Sequence, residues 1–398
     1  AGAGRREDAG AGTPAPARDH PRMRGICVEV YYSSTVGVTY SVGRRRWGCS
    51  SARWEGSWAA SSWRTQLGSH TAAAGTLLAP GEGAPRKGGG VRAIRPMGWG
   101  TMSTGYRIGI DLGGTKIEGV VLDPAGVQCR RERVPTERER GYAHIVARVA
   151  AMVAALRPFA PGCERIGIGT PGSRSARDGT LKNSNTTCLN GRPLGDDLAV
   201  RIGLPVVLEN DANCFALAEA LGGAGRGHAV VFGVILGTGV GGGIVLRGSL
   251  WSGPQHIAGE WGHHTVDPAG PACYCGARGC VETLLAGPAL ARAYGAAGGS
   301  PCDAAEVARR AGAGEPRAVA VLADYCDRFG RALANVIDIL DPSVVVLGGG
   351  LSNITALYTD GRDAVARHVF NDELRTPIVP HQLGDSAGVV GAALVAGC

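Results

Sequence analysis

Twice in this sequence an apolar run ends in glycines and turns back into a second apolar run: "YRIGIDLGG" into "TKIEGVVLD" (106–123), and "AVVFGVILGTG" into "GGIVLRGSL" (229–250). In both places helical and extended segments then alternate. After the first pair come a polar strand "VQCRRERVP", a helix with Ile145, Val149, Met152, Val153 and Leu156 on one face, the strand "RIGIGTPG", a helix near 195–202, the strand "LPVVLEND" and the helix "ANCFALAEAL". After the second pair come helices near 288–295, 303–312 and 316–340. The strand "PSVVVLGGGLS", a helix from about 352 to 368, a strand near 377–380 and a closing helix "AGVVGAALVA" follow. Along 316–340, Val319, Leu322, Tyr325, Phe329, Leu333, Val336 and Ile337 recur at threes and fours, predicting one buried face. A duplicated unit of this kind implies an α/β fold of two lobes with a cleft between them.

The first hundred residues are different in kind. Residues 1–101 hold 14 Lys and Arg against 6 Asp and Glu, and five of the seven Trp, while residues 102–398 hold 27 against 28. The formal charge of +7 therefore belongs to the front, and the body has no broadly basic surface for nucleic acid. Apart from the alternating piece "CVEVYYSSTVGVTYSV", the front lacks helical or strand periodicity. It is expected to be a low-complexity extension that adds nothing to the chemistry. The domain expectation is 1–104 as this extension, 105–222 with the closing helix 387–398 as the first lobe, and 223–386 as the second. No run approaches the roughly 18 apolar residues of a membrane span. The cysteines outside one cluster stand singly among apolar neighbours, so the expected setting is a reducing cytoplasm, with no membrane partner.

Three glycine turns stand at strand ends: "DLGGTK" (111–116), "LGTGVGGG" (236–243) and "LGGGLS" (347–352). Successive backbone N–H groups in such turns form a concave nest for phosphate oxygens. Gly237, Gly239 and Gly242 match the dinucleotide spacing, but they run into a strand where that motif must open a helix, and no P-loop motif occurs. What remains is a nucleotide with its phosphates pinched between two glycine hairpins, Gly113, Gly114, Thr115 and Lys116 on one side and Gly237, Thr238, Gly239, Gly241 and Gly242 on the other. Gly348, Gly349 and Gly350 would lie near the adenosine. "LENDANC" places Asp211 after a strand and at the start of a helix, where a helix cap and a catalytic base are both open readings.

The segment "GEWGHHTVDPAGPACYCGARGC" brings His263, Cys273, Cys275 and Cys280 together. The spacing is not that of a DNA-reading finger, no basic recognition helix follows, and a redox Cys-x-x-Cys is absent. Four such ligands suit a closed tetrahedral zinc site with a structural role.

Taken in order, "IGIDLGGTK", "GTPG", "ENDANC", "LGTGVGGG", "GEWGH", "CYCGARGCVE", "DPSVVVLGGG" and "GDSAGVVGAA" resemble the ROK family of the actin-like ATPase superfamily, over 105–398. The resemblance implies an ATP- and Mg²⁺-dependent kinase acting on the 6-hydroxyl of a hexose. Asp211 would be the base and Asp111 would face Mg²⁺ through water. Gly172, Asn185, Asn210, Asp211, Glu260, His263 and Glu282 would line the sugar site, with structural Zn²⁺ on His263 and the three cysteines. "KNSNTTCLNGRPL" is most similar to the fructokinase and mannokinase branch, which makes fructose the expected acceptor, although Cys188 departs from that branch by standing where a Trp is usual. Glucose, mannose and N-acetylhexosamines are the alternatives. A homodimer is the expected assembly. Part of the family are sugar-responsive repressors, a reading that requires a DNA-binding head, and residues 1–101 show no helix-turn-helix pattern.

Overall fold

The computed structural model describes residues 26–31, 39–44 and 105–397. In the front segment β1 (Ile26–Tyr31) and β2 (Thr39–Arg44) pair antiparallel, Ile26 opposite Arg44, where the sequence alternates. The expectation for the rest of residues 1–104 lies outside the described residues.

The body begins with the antiparallel meander β3 (Arg107–Leu112), β4 (Lys116–Leu122) and β5 (Gln128–Pro135). Helix α1 (Tyr142–Leu156) turns its buried residues Ile145, Val149, Met152, Val153 and Leu156 onto that sheet. Strand β6 (Ile166–Thr170) then joins parallel to β3. A small hairpin, β7 (Ser173–Arg174) with β8 (Leu181–Lys182), leads to α2 (Leu194–Ile202). The sheet closes with β9 (Val206–Asn210), in the order β5-β4-β3-β6-β9.

After α3 (Asp211–Gly222), the second lobe repeats the pattern. Strands β10 (Val230–Leu236), β11 (Val240–Leu246) and β12 (Ser249–Leu250) are antiparallel. Helices α4 (Val281–Leu285), α5 (Gly287–Ala296), α6 (Ala304–Gly312) and α7 (Pro316–Leu340) follow. Strand β13 (Val344–Gly348) pairs parallel to β10, α8 (Asp360–His368) crosses over, and β14 (Ile378–Pro380) pairs parallel to β13, giving the order β12-β11-β10-β13-β14. In both sheets three antiparallel strands continue into two parallel ones, so the duplication visible in the sequence is a duplication of topology.

Helix α9 (Ala387–Val395) packs on the first sheet and α3 on the second, and the two helices pack on each other. Bare backbone makes this possible. A Cβ on Gly167 of β6 would fall 1.7 Å from the Ala392 carbonyl oxygen, and one on Gly391 of α9 would fall 1.8 Å from that of Cys214 in α3. A helix apolar on all sides, as "AGVVGAALV" is, finds its place between two layers. This middle layer is what fixes the cleft, because β9 and the start of α3 meet there.

Two local expectations change. The helix expected from about 352 splits into turns at 350–353 and 355–357 before α8, because Ser352 Oγ donates to Gly349 O (2.7 Å) and Tyr358 OH to Ser352 O (2.7 Å), which ties side chains to carbonyls a helix would use. On α7, Val319 is 45% exposed, while Tyr325, Phe329, Leu333 and Ile337 are buried as expected.

Candidate functional site

Asp211 stands where β9 becomes α3. The cap is its neighbour: Asn210 Oδ1 accepts from Ala212 N (2.9 Å) and Asn213 N (3.3 Å), and Asn210 Nδ2 donates to Gly172 O (3.1 Å). Asp211 is thereby released from capping, although its Oδ1 accepts from Ala212 N at 2.8 Å. Burial pushes its carboxyl up to about 6, the charge of Glu260 adding to the effect and the Ala212 N–H opposing it. Glu209 is structural: its carboxylate accepts from Asn210 N (2.9 Å), Asn213 Nδ2 (2.8 Å) and Ser252 Oγ (2.8 Å), tying the two lobes. Glu219, fully buried, accepts from the backbone at Ala224, Gln382 and Leu383.

A cleft of about 290 Å³ gathers Gly172, Asn185, Asn210, Asp211, Gly237, Thr238, Gly239, Gly241, Gly242, Glu260, His263 and Glu282. Glu260 accepts from Ser173 Oγ (3.1 Å), and Glu282 Oε2 accepts from Val240 N (3.0 Å), joining α4 to the second glycine hairpin. Asn183 and Tyr274 also line the cleft and were not expected from sequence. Asn183 sits in the left-handed region (φ 59°), and its place in "KNSN" two residues from Asn185 was the available signal. Asp111, Gly113, Gly114, Thr115 and Lys116, with Gly348, Gly349 and Gly350, lie outside this lining. A larger concavity of about 580 Å³, bordered by Asp338, Phe370 and Arg375, contains none of the candidate residues.

The first hairpin is braced by Gly113 N to Lys116 O (3.0 Å), Thr136 Oγ1 to Gly113 O (2.7 Å) and Thr136 N to Thr115 O (2.9 Å). Lys116 lies 3.7 Å from Glu118, a buried carboxylate that Arg131 and Arg133 also reach at 2.6 Å. Asp111, opposite Glu118 in the β3–β4 ladder, is pushed up to about 7 by burial, then by Asp211 and Glu118, against Lys116 and Arg133. A buried carboxyl held this high beside other carboxylates is a place where a hydrated divalent cation would relieve repulsion. The second hairpin is closed by Gly237 N to Gly239 O (2.9 Å) and fixed by Gly287 N to Gly237 O (2.8 Å). Behind it, a Cβ on Gly349 (φ 78°) would fall 2.4 Å from Leu236 O, so the third glycine turn packs against the end of β10.

In the segment between β12 and α4, the His263 ring and the thiols of Cys273, Cys275 and Cys280 have their ligand atoms within 4.8 Å of one another. Cys273 Sγ is 3.5 Å from His263 Nδ1, and Cys275 Sγ 3.6 Å from Cys280 Sγ. Tetrahedral zinc bound to sulfur at about 2.3 Å separates its thiolates by about 3.8 Å, so this donor set fits that ion with no position open to substrate. His263 Nε2 is 2.9 Å from Tyr274 OH, and both residues line the cleft. Cys188 packs against the first-lobe core and does not line the cleft.

The model of the ROK family matches residues 107–397. N-acetyl-D-glucosamine kinase from Photobacterium profundum is 37% identical over 298 residues, covering 72% of this chain and 98% of the relative. Among solved structures, a ROK hexokinase from Thermus thermophilus is 38% identical with a TM-score of 0.66, covering 73% of this chain and 97% of its own. A ROK glucokinase from Streptomyces griseus, solved with glucose and AMPPNP, is 34% identical with a TM-score of 0.62, covering 73% and 99%. Among the described residues no helix is long and apolar enough to cross a membrane. The duplicated sheets, the cleft at their junction and the family match together establish that the chain is a ROK family sugar kinase with the two-lobed actin-like fold.

Proposed function

We propose that the chain transfers the γ-phosphoryl group of ATP to the primary 6-hydroxyl of a hexose, with N-acetylglucosamine as its preferred acceptor. The observation that carries the reading is Asp211: a carboxyl raised to about 6, freed from capping by Asn210, in a cleft that also holds the Gly237–Gly239 turn and the polar groups of Asn185, Glu260 and Glu282. A base poised just below neutral pH accepts a proton readily from an attacking hydroxyl. Asp211 takes the proton of the 6-hydroxyl as its oxygen bonds to the γ-phosphorus, the bond to the bridging oxygen breaks, and ADP leaves. The glycine hairpins hold the phosphates by backbone N–H groups, and Asn185, Asn210, Glu260 and Glu282 pair with sugar hydroxyls. Magnesium, when bound, would neutralise phosphate charge, with Asp111 holding its water shell. Zinc on His263 and the cysteines would fix the segment between Glu260 and Glu282.

N-acetylglucosamine is favoured over fructose because two of the relatives above are by name an N-acetyl-D-glucosamine kinase and a glucokinase, and because Cys188, where the fructokinase branch usually has a Trp, is packed away from the cleft. A cytoplasmic homodimer completes the proposal, and light scattering reads the assembly directly. The acceptor is tested by coupled ADP release over N-acetylglucosamine, glucose, mannose and fructose. The expected result is kcat/KM at least tenfold higher for N-acetylglucosamine than for fructose. A fructose preference overturns the acceptor, and no turnover with any hexose overturns the reaction.

A further inference from the structure

We infer that Arg138 is a further catalytic residue, a cation that contacts the transferred γ-phosphoryl group from the first-lobe side of the cleft. The inference rests on the kinase reading and adds to it a residue that lies outside the glycine motifs.

The connection from β5 to α1 is held rigidly. Glu137 sits in the left-handed region (φ 52°), and its carboxylate takes His144 Nε2 (2.7 Å), Arg140 Nη1 (3.2 Å) and Arg148 Nη1 (3.6 Å). One residue earlier, Thr136 is bonded through its N–H and its hydroxyl to the first glycine hairpin. Arg138 follows on this anchored base, and its guanidinium lies against the hairpin: a Cβ on Gly114 would fall 3.3 Å from Arg138 Nη1 and 3.5 Å from Thr186 Oγ1. Thr186 is next to Asn185 of the cleft, so the guanidinium sits between the phosphate turn and the sugar loop.

Charge accounting singles it out. Around it, Arg130 pairs with Glu132, Lys116, Arg131 and Arg133 share Glu118, and Arg140 and Arg148 share Glu137. Among the described residues the Arg138 guanidinium has no acidic partner and no hydrogen bond, and although the residue is exposed its Nη1 lies against the glycine turn at Gly114. Lys116, the cation that the motif itself supplies, is already drawn to Glu118. A planar, permanently charged guanidinium beside a backbone phosphate nest suits the equatorial oxygens of a phosphoryl group in transfer.

The test compares wild type with Arg138→Ala and Arg138→Lys by titration with AMPPNP and with ADP, and by kcat on the best sugar of the panel. Arg138→Ala is expected to weaken AMPPNP at least tenfold and ADP less than threefold, because ADP lacks the contacted group. It is expected to lower kcat about 10²–10³-fold with the sugar KM little changed, and added guanidinium should restore part of kcat. Arg138→Lys should fall between the two. Thermal unfolding should move by no more than about 1 °C, since no bond is lost. Equal losses for AMPPNP and ADP, or a kcat within threefold of wild type, overturn the assignment while leaving the kinase reading intact. Failure of the wild-type protein to bind AMPPNP overturns both.

Discussion

Replacing Asp211 by Asn should make the protein more stable while nearly silencing it. The wild-type carboxyl is raised from 3.8 to about 6, chiefly by burial. A raised carboxyl contributes stability that is present below the unfolded value and lost as pH rises through the folded one. At pH 8 the folded state therefore carries a penalty of about 3 kcal/mol, from a rise of about two units at 1.36 kcal/mol each. Solvent in the cleft screens part of this, leaving about 1–3 kcal/mol for a neutral amide to recover. The cap is not at stake, because Asn210 supplies it. In thermal unfolding the variant should melt about 2–6 °C above wild type at pH 8, and the gap should shrink to roughly half at pH 5, where the wild-type carboxyl is mostly protonated when folded. Meanwhile kcat should fall about 10²–10⁴-fold, with sugar affinity retained. A variant that melts below wild type at pH 8, or that keeps kcat within tenfold, would refute the reasoning.

Two other perturbations probe the surroundings. Cys275→Ser should abolish bound zinc in metal analysis and raise the sugar KM about tenfold or more, since Glu260 and Glu282 flank the ligand segment; an unchanged KM with the metal gone would separate the two. Gly167→Ala should cost about 3 kcal/mol in denaturant unfolding, because the new methyl meets the Ala392 carbonyl oxygen at 1.7 Å; a silent substitution would mean that α9 does not pack on β6 as described.

Much of the fold was legible because its signals are periodic. The spacing of Ile145, Val149, Met152, Val153 and Leu156 is dictated by burial on one face, and those residues are all buried. Glycines closing two strand pairs marked the duplication for the same reason, since hairpins need them. The helix after Gly350 was misread because Ser352 and Tyr358 bond to carbonyls locally, which no periodicity records. At the site, Asn183, Tyr274 and Arg138 escaped notice because each gains its meaning from a partner distant in sequence or held by backbone conformation. Arg138 gains its from Gly114, and Tyr274 gains its from His263.

The most direct measurement is a crystal structure with AMPPNP, Mg²⁺ and the preferred sugar bound together. The account predicts the triphosphate between the Gly113–Gly114 and Gly237–Gly239 turns, with the sugar O6 within hydrogen-bonding distance of Asp211. A nucleotide seated elsewhere, or an O6 turned away from that carboxylate, would contradict it.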